Sequence, residues 1–304
     1  MIQNKFFSAE ELMPGVWQIT NIFDSHARMT TFCYLIEGNE RAMLIDTMFG
    51  YGDLKSFCRE VTDKPVILVN THYHGDHAGG NFDFDEFYMH ALDIPYLRAA
   101  AQAYTADPTA FRAARYEQLK NAALPENKDM VKIDDCSAPH PMYMWPIWGG
   151  DVFDLGGKHI EIIHVGGHTA GEIVLLDRED RICITGDACN SNTLLNLPGS
   201  ISVEEYLEFL RAWKLRQGEF DYCYGGHESF DPTIIDEGIA TCEKVLRGED
   251  EHWESQGFTG RTCYYASERV QDPETGKPCA ANGQRFNIAY IDNLHRKERE
   301  PQKL

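Results

Sequence analysis

The stretch "THYHGDHAGG", residues 71–80, concentrates three histidines and an aspartate within six positions, whereas the other nine histidines are spread over the rest of the chain. Neutral imidazoles and ionised carboxylates are the common nitrogen and oxygen ligands of zinc and similar divalent ions. His72 and His74 are two positions apart, which lets both rings point the same way, and Asp76 and His77 follow a turn later. This pattern predicts that His72 and His74 bind one metal ion and that Asp76 and His77 bind a second ion beside it.

A metal ion needs at least three protein ligands, so further ligands must come from elsewhere in the chain. Three candidates share one local pattern, in which an apolar strand is followed by glycine and then by a single ligand on a loop. They are His168 in "HVGGHTAGE", Asp187 in "CITGDA" and His227 in "YCYGGH". Each alone is more often an ordinary loop residue, and the histidine turn alone could be a solvated loop. The combination favours a metal site.

Length and charge limit the classes of protein and partner. The 304 residues permit one large domain or two smaller ones, and we favour a single domain spanning 1–304. A formal charge of −20 repels phosphate backbones and anionic lipid, so we expect a small-molecule substrate and neither nucleic acid nor membrane as partner. No apolar run approaches the ~18 residues of a membrane span, and no signal peptide is recognisable. These absences predict a cytoplasmic location, and a homo-oligomer is left open.

The nine cysteines form no recognisable framework. Their number is odd, and no two of them show the two-residue spacing typical of zinc knuckles or thioredoxin-like redox sites. Free and mostly buried thiols are therefore expected. Cys189 lies two residues from Asp187, but we interpret it as a buried structural thiol and not as a metal ligand.

Short β-branched or aromatic runs bounded by turn residues predict strands, and amphipathic runs predict helices. The runs at 32–38 and 41–47 are joined by a glycine-containing turn and should form a hairpin. Ser202 and Glu205 form a capping-box pattern at the start of one helix. The other predicted strands lie at 15–20, 66–71, 151–165, 172–177, 181–187, 220–227, 260–267 and 285–290, and the predicted helices at 54–61, 202–218 and 231–248.

Two segments differ from the strand-rich remainder. Residues 91–148 open with alanine-rich sequence and predict a helical insertion, and residues 250–304 form a charged C-terminal extension. Tyr143, Trp145 and Trp148 end the insertion, either as the wall of an apolar substrate pocket or as buried packing and a subunit contact. We favour packing or contact, because a run of large apolar groups is more often core or interface. The order of elements predicts two sheets with helices outside them.

The four pieces "THYHGDH", "GGHTAGE", "TGD" and "GGH", in this order, resemble the metallo-β-lactamase-fold hydrolase superfamily, which includes glyoxalase II-like thioesterases and acyl-homoserine-lactone lactonases. The resemblance covers roughly residues 14 to 230 and implies an α/β fold, a four-layer αββα sandwich with a binuclear metal site at one edge. In the family pattern, the first ion is bound by His72, His74 and His168, the second by Asp76, His77 and His227, and Asp187 bridges both.

The resemblance also bears on residues around the metals. Asp46, which closes "LIDT", matches an acidic position that supports the histidine loop from behind. Lactonases of the family often carry a tyrosine three residues after the bridging aspartate, where this chain has Asn190, and that departure weakens the case for a lactone substrate. No substrate-binding residue can be assigned from the sequence.

Elementary chemistry agrees with the family pattern. Two divalent ions ~3.5–4 Å apart repel each other, so a bridging carboxylate and a bridging hydroxide are expected between them. Metal coordination lowers the pKa of water toward ~7 and so supplies a nucleophile, while the other ion can polarise a carbonyl. Asp76 could also act catalytically by passing a proton to the leaving group. We expect two divalent ions, zinc first, with iron or manganese as alternatives.

The expected function is hydrolysis of a small-molecule ester, thioester, lactone or amide by a metal-bound hydroxide. Two alternatives stay open: an iron-dependent redox enzyme of the same fold, similar to sulfur dioxygenases, and a metal-binding protein without catalytic activity. Hydrolysis of antibiotics is not expected, because such enzymes are typically exported and no signal peptide is seen.

Overall fold

The computed structural model describes residues 1–22, 30–122, 128–129, 132–257, 260–273 and 278–291. The chain forms two compact units, Met1–Ile160 and Glu161–Leu304. The single domain expected from the sequence therefore stays a prediction. Among the described residues, no helix combines the length and the apolar character that crossing a bilayer requires.

The first unit is built on an eight-stranded sheet whose strands are neighbours in chain order. The strands are β1 (Ile2–Gln3), β2 (Phe7–Met13), β3 (Val16–Asn21), β4 (Phe32–Glu37), β5 (Ala42–Ile45), β6 (Val66–Val69), β7 (Glu86–His90) and β8 (Tyr143–Ile147). The pairs from β1 to β5 are antiparallel, which confirms the predicted hairpin of β4 and β5. The pairs from β5 to β8 are parallel. Because parallel strands end at one edge of a sheet, the residues that follow β5 and β6 become neighbours there.

The α-helices in the described part of the first unit are α1 (Leu54–Val61), α2 (Gly75–Ala78), α3 (Ile94–Ala106) and α4 (Pro108–Ala122). Helix α1 lies where its periodicity predicts it, and the Asp53 side chain caps its start by accepting from the backbone N–H of Ser56 at 2.9 Å. Its apolar face reaches the sheet, where the rings of Phe57 and Phe7 lie 5.3 Å apart. This packing anchors the connection between β5 and β6.

Among the described residues of the predicted insertion at 91–148, the α-helices lie in its first part. Helices α3 and α4 occupy that part, residues 123–127 and 130–131 lie outside the described residues, and the end of the segment is the edge strand β8, parallel to β7. The expectation that its aromatic residues are buried by packing is wrong, because Tyr143, Trp145 and Trp148 are 72%, 46% and 53% exposed. Their role in a subunit contact stays a prediction. An edge strand leaves one side without a neighbouring strand, so apolar residues there do not imply burial.

Strands β9 (Val152–Asp154) and β10 (His159–His164) lead along the chain into the second unit. The elements of that unit are β11 (Ile173–Asp177), β12 (Ile182–Gly186), β13 (Thr193–Leu194), α5 (Val203–Lys214), β14 (Tyr222–Gly225), β15 (Ser229–Phe230), α6 (Ile234–Arg247), β16 (Trp253–Gln256), β17 (Thr262–Tyr265), β18 (Arg269–Gln271), β19 (Pro278–Ala280) and β20 (Ile288–Tyr290).

The main sheet of the second unit contains β15, β14, β12, β11 and β10 as successive neighbours. Strands β12 and β14 are parallel, so the loops after them leave the same edge of this sheet. Both strands of the pair predicted near the C-terminus exist, and β17 and β20 are antiparallel neighbours. Residues 292–304 of the predicted C-terminal extension lie outside the described residues.

Helix α5 begins with the predicted capping box. The Ser202 hydroxyl accepts from the backbone N–H of Glu205 at 3.3 Å, and the Glu205 carboxylate accepts from the backbone N–H of Ser202 at 3.2 Å. The helix ends at Lys214, four residues before the glycine that we predicted as its end. Helix α6 ends at Arg247 and is capped by Gly248, whose φ of +68° suits glycine.

All nine cysteines fall within the described residues, and none of them forms a disulfide. Eight are buried and Cys279 is partly exposed, which confirms the expectation of free, mostly buried thiols.

Candidate functional site

The histidine turn follows β6 and brings four predicted ligands together, and we call His72, His74, Asp76 and His77 the first ligand set. The ring centroids of His72 and His74 lie 4.8 Å apart, and those of His72 and His77 lie 4.1 Å apart. Nε2 of His77 lies 3.8 Å from a carboxylate oxygen of Asp76. His72 and His77 are fully buried, while Asp76 is partly exposed. The turn therefore gathers three imidazoles and one carboxylate in a small volume.

Asp46, one residue past β5, supports this set by accepting three hydrogen bonds, one of them directly from a histidine ring of the set. Its Oδ2 accepts from Nδ1 of His77 and from the Thr71 hydroxyl, each at 2.8 Å, and its Oδ1 accepts from the backbone N–H of Thr71 at 2.8 Å. Because Thr71 donates its hydroxyl proton to Asp46, it accepts from Nδ1 of His72 at 3.0 Å. Both rings therefore carry their proton on Nδ1 when neutral, which places the lone pair of each ring on Nε2.

The backbone at Asp46 is in an uncommon conformation. Its φ is +66°, and that of Met48 is +54°, in the left-handed region that residues other than glycine seldom adopt. Such a conformation costs free energy and persists only where the surroundings enforce it. Here it turns the Asp46 carboxylate back beneath the histidine turn.

Sequence reasoning missed a second layer of support, formed by Thr47, Asn70 and Asn81. The Thr47 backbone N–H and the Asn70 amide both donate to the carbonyl oxygen of His77, at 2.7 and 3.1 Å. The Asn81 amide oxygen accepts from the Thr47 hydroxyl at 2.7 Å and from Asn70 at 3.2 Å. Asn70 and Asn81 flank the turn in sequence, but isolated asparagines follow no recognisable pattern. Their role becomes visible only once the chain is folded.

The glycines of the turn are required by close backbone approaches. A Cβ on Gly79 would lie 2.6 Å from the carbonyl carbon of Phe49, and one on Gly80 would lie 2.5 Å from the carbonyl oxygen of Thr47. Real Cβ atoms essentially never approach other atoms so closely. Glycine at both positions therefore lets the turn pack directly against these backbone groups.

Three loops of the second unit, which follow β10, β12 and β14, bring three predicted ligands together. We call His168, Asp187 and His227 the second ligand set. Oδ2 of Asp187 lies 3.5 Å from Nε2 of His168 and 3.5 Å from Nε2 of His227. His168 is held by the Leu194 carbonyl oxygen, which accepts from Nδ1 at 2.8 Å. One carboxylate oxygen thus lies between two imidazoles.

Asp187 is held by neighbours that the sequence did not single out. Its backbone N–H donates to Oε1 of Glu172 at 3.0 Å, and its Oδ1 accepts from the Asn190 amide at 3.3 Å. Glu172 is fully buried and closes the "GGHTAGE" motif. Asn190 occupies the position of the tyrosine found in lactonases, and here it orients the carboxylate of Asp187.

The donor chemistry of both sets fits divalent cations. A carbonyl can only accept a hydrogen bond, so His168 keeps its proton on Nδ1 and, when neutral, directs the Nε2 lone pair at the Asp187 carboxylate. Two electron-rich atoms at this distance are stabilised by a cation that contacts both. Clusters of histidine and aspartate able to hold a metal ion are therefore present in the chain.

Other candidates lie apart from this chemistry. Cys189 is fully buried, its thiol lies 3.7 Å from the carbonyl oxygen of Ile234, and burial raises its pKa well above the ordinary value. A protonated thiol is a poor metal ligand, so Cys189 is structural. His164 donates from Nε2 to the Ala170 carbonyl oxygen at 2.8 Å, and burial lowers its pKa.

Comparison with known proteins agrees with these motifs. Residues 27–227 match a family model described as "Metallo-beta-lactamase superfamily". The chain is 24% identical over 213 residues to the chicken protein "Acyl-coenzyme A thioesterase MBLAC2", covering 67% of this chain and 73% of the relative. It is 23% identical over 192 residues to "Atrochrysone carboxyl ACP thioesterase AacuM" of Aspergillus aculeatus, covering 60% and 47%.

Solved structures show the same architecture. A metallo-beta-lactamase from Pontibacter korlensis matches with a TM-score of 0.55 at 16% identity, covering 78% of this chain and 99% of the other. The DIM-1 metallo-beta-lactamase matches with a TM-score of 0.55 at 15% identity, covering 79% and 98%. At such identities the likeness concerns the fold alone.

Proposed function

Since this chain belongs to the metallo-beta-lactamase superfamily and is a hydrolase of that family, we propose that it hydrolyses acyl thioesters of small molecules in a metal-dependent reaction. The α/β metallo-β-lactamase fold expected from the sequence is confirmed. The choice of a thioester is supported by two kinds of relative whose names describe thioesterases. It narrows the range of ester, thioester, lactone and amide left by the motifs.

The observation that carries the proposal is the position of Asp187, with one carboxylate oxygen 3.5 Å from an imidazole nitrogen of both His168 and His227. An oxygen shared between two imidazoles suits a bridge between two cations. We propose that the two ligand sets bind two divalent ions, zinc first. The ligands follow the family pattern: His72, His74 and His168 for one ion, Asp76, His77 and His227 for the other, and Asp187 for both.

When bound, the ions lower the pKa of a water molecule and polarise the acyl carbonyl. The residues of the chain orient the ligand rings and transfer the proton. Asp46 and the Leu194 carbonyl keep the protons of His77 and His168 on Nδ1, so that neither ring needs to reorganise. Asp76 is the partly exposed carboxylate of the first set, and it takes up the proton released by water and delivers it to the departing sulfur. The products are a carboxylic acid and a thiol.

A chelation experiment tests the metal dependence. The purified protein is assayed with butyryl-N-acetylcysteamine before chelation, after complete demetallation, and after zinc, manganese or iron is added back. We expect hydrolysis to be lost with the metal and regained on addition, and the Asp76→Asn variant to lower kcat by about 100-fold. The exposed His159→Gln variant is the matched control and should be unaffected. Unchanged turnover without metal would overturn the proposal.

The iron-dependent redox alternative predicts a different result in the same preparation. An enzyme similar to sulfur dioxygenases would consume oxygen with a persulfide substrate and would need iron alone. We expect no oxygen consumption, and thioester hydrolysis with zinc in the site. A metal-binding protein without catalytic activity would hydrolyse none of the esters, thioesters or lactones in a generic panel.

A further inference from the structure

Arg115 on α4 lies beside the histidine turn of the first ligand set. A Cβ built on Gly75 would lie 3.9 Å from Nη2 of Arg115, and Gly75 stands between His74 and Asp76 in the turn. The guanidinium is therefore a neighbour of the proposed ligands although α4 is distant from them in sequence. The helical insertion thus places a cation beside the turn, in addition to the Tyr96 ring of α3, which stacks on Tyr73 at 4.8 Å.

Aromatic packing fixes the position of this guanidinium. The Arg115 side chain lies over the Phe111 ring, 5.3 Å from its centroid. The Phe111 ring in turn packs against Tyr104 at 4.3 Å and Phe82 at 5.6 Å, and Phe82 is nearly buried just after the histidine turn. A cation stacked on an anchored ring loses less conformational freedom when it binds a ligand. Arg115 is thus pre-positioned beside the turn.

Two arginines one turn apart on α4 differ in their partners. Arg112 donates to the carbonyl oxygens of Cys136 and Ile133 and pairs with Asp134 at 3.1 Å. Within the residues that the structure describes, Arg115 has no carboxylate partner and no hydrogen bond, and it is partly buried. A guanidinium offers five N–H donors in a fork that matches a carboxylate or a phosphate. The donors of Arg115 are therefore available to an anionic ligand.

We propose that Arg115 binds a carboxylate on the acyl group of the substrate, which makes the substrate a thioester of a short dicarboxylic acid; this inference rests on the proposed thioesterase function. The chain carries a formal charge of −20, so an anionic acyl group needs a local cation to approach the ligand turn. Arg115 supplies one at the turn itself. The phosphates of a coenzyme A thioester lie a whole pantetheine arm from the scissile bond, so a group this close to the ligands suits the acyl end of the substrate.

The test compares two five-carbon substrates on a carrier without phosphate: glutaryl- and valeryl-N-acetylcysteamine. The Arg115→Gln variant should lose about 10- to 100-fold in kcat/KM with the glutaryl thioester and stay within about twofold of wild type with the valeryl thioester. Arg115→Lys should recover part of the loss, because it keeps the charge without the fork. Arg98→Gln, which removes an exposed arginine from α3, is the matched control.

A binding measurement gives a second result that does not depend on turnover. Calorimetric titration of the metal-loaded protein should show that glutarate binds more tightly than valerate and that Arg115→Gln removes this advantage. An equal loss for both thioesters, or an advantage of glutarate that persists in the variant, would overturn the assignment of Arg115. The assignment would also be overturned if Arg115→Gln lowered kcat/KM only for thioesters that carry the phosphates of coenzyme A, whether or not their acyl group has a carboxylate. Failure to hydrolyse any thioester would overturn the proposed function, and the glutarate titration would still decide the role of Arg115.

Discussion

Oδ2 of Asp46 lies 2.8 Å from Nδ1 of His77, and both side chains are buried. The two residues are 31 positions apart in sequence, and they meet because β5 and β6 are parallel neighbours that end at the same edge of the sheet. The same carboxylate also holds Thr71, which in turn accepts from His72. One aspartate therefore sets the protonated nitrogen of two proposed metal ligands.

Replacing Asp46 with asparagine tests this support. Asparagine tolerates the left-handed backbone at this position, but its amide presents N–H groups toward donors that need an acceptor. We expect metal affinity to fall about 10- to 100-fold, measured by competition with a chromophoric chelator. The exposed Asp63→Asn variant is the control. Wild-type metal affinity in Asp46→Asn would show that the carboxylate does not support the ligands.

The backbone approach at Gly79 predicts a local cost in stability. Alanine there would place a Cβ 2.6 Å from the backbone of Phe49, so the turn must shift, and we expect the free energy of unfolding to fall by about 2–3 kcal/mol. Gly218→Ala is the matched control, because nothing lies within 4 Å of its added Cβ. Urea unfolding of both variants measures the difference. Equal stability of the two would contradict the close approach at Gly79.

Asp83 predicts a pH dependence of stability. Burial raises its pKa from 3.8 to about 6, against hydrogen bonds from Ser137 and from the backbone of Leu54 that lower it. A raised pKa in the folded state means that the folded protein binds more protons than the unfolded chain. The protonated Asp83 carboxyl therefore makes its full contribution to the free energy of unfolding below pH 3.8, and this contribution is lost as the pH rises toward 6. The loss amounts to at most about 3 kcal/mol.

Asp83→Asn should remove this dependence, because an amide does not ionise. Urea unfolding at several values between pH 4 and pH 7 gives the free energy of unfolding of variant and wild type, and contributions from the histidines cancel in the difference. We expect the difference to move in favour of the variant as pH rises. Asp63→Asn should follow wild type throughout. A difference for Asp83→Asn that does not change with pH would contradict the assignment.

The sequence predicted the elements whose pattern is local. Helix α1, the hairpin of β4 and β5, and the capping box of α5 each depend on residues close together in the chain, and all three were found. Strand β8 was missed because its Tyr-Met-Trp-Pro-Ile sequence follows no alternation of polar and apolar residues, and only its pairing with β7 defines it. Pairing with a neighbouring strand therefore determines the conformation of this segment, for which the local sequence shows no preference.

The same distinction holds for the candidate site. The seven proposed ligands could be named because imidazoles and carboxylates after glycines at strand ends are rare in combination. Asn70 and Glu172 act through hydrogen bonds to the backbone of His77 and Asp187, and Asn81 acts through the side chains of Thr47 and Asn70. No spacing in sequence marks such contacts. Arg115 was missed for a related reason, since it comes from a helix whose sequence shows only that it is a helix.

We propose that two sets of side chains bind two divalent ions with Asp187 as the bridge. Elemental analysis of zinc-loaded protein after removal of free metal tests it most directly, with Asp187→Ala compared with wild type. We expect about two zinc ions per chain in wild type and no more than about one in the variant, since losing the bridge leaves the two cations unshielded from each other. Two ions retained by Asp187→Ala, or less than one bound by wild type, would contradict it.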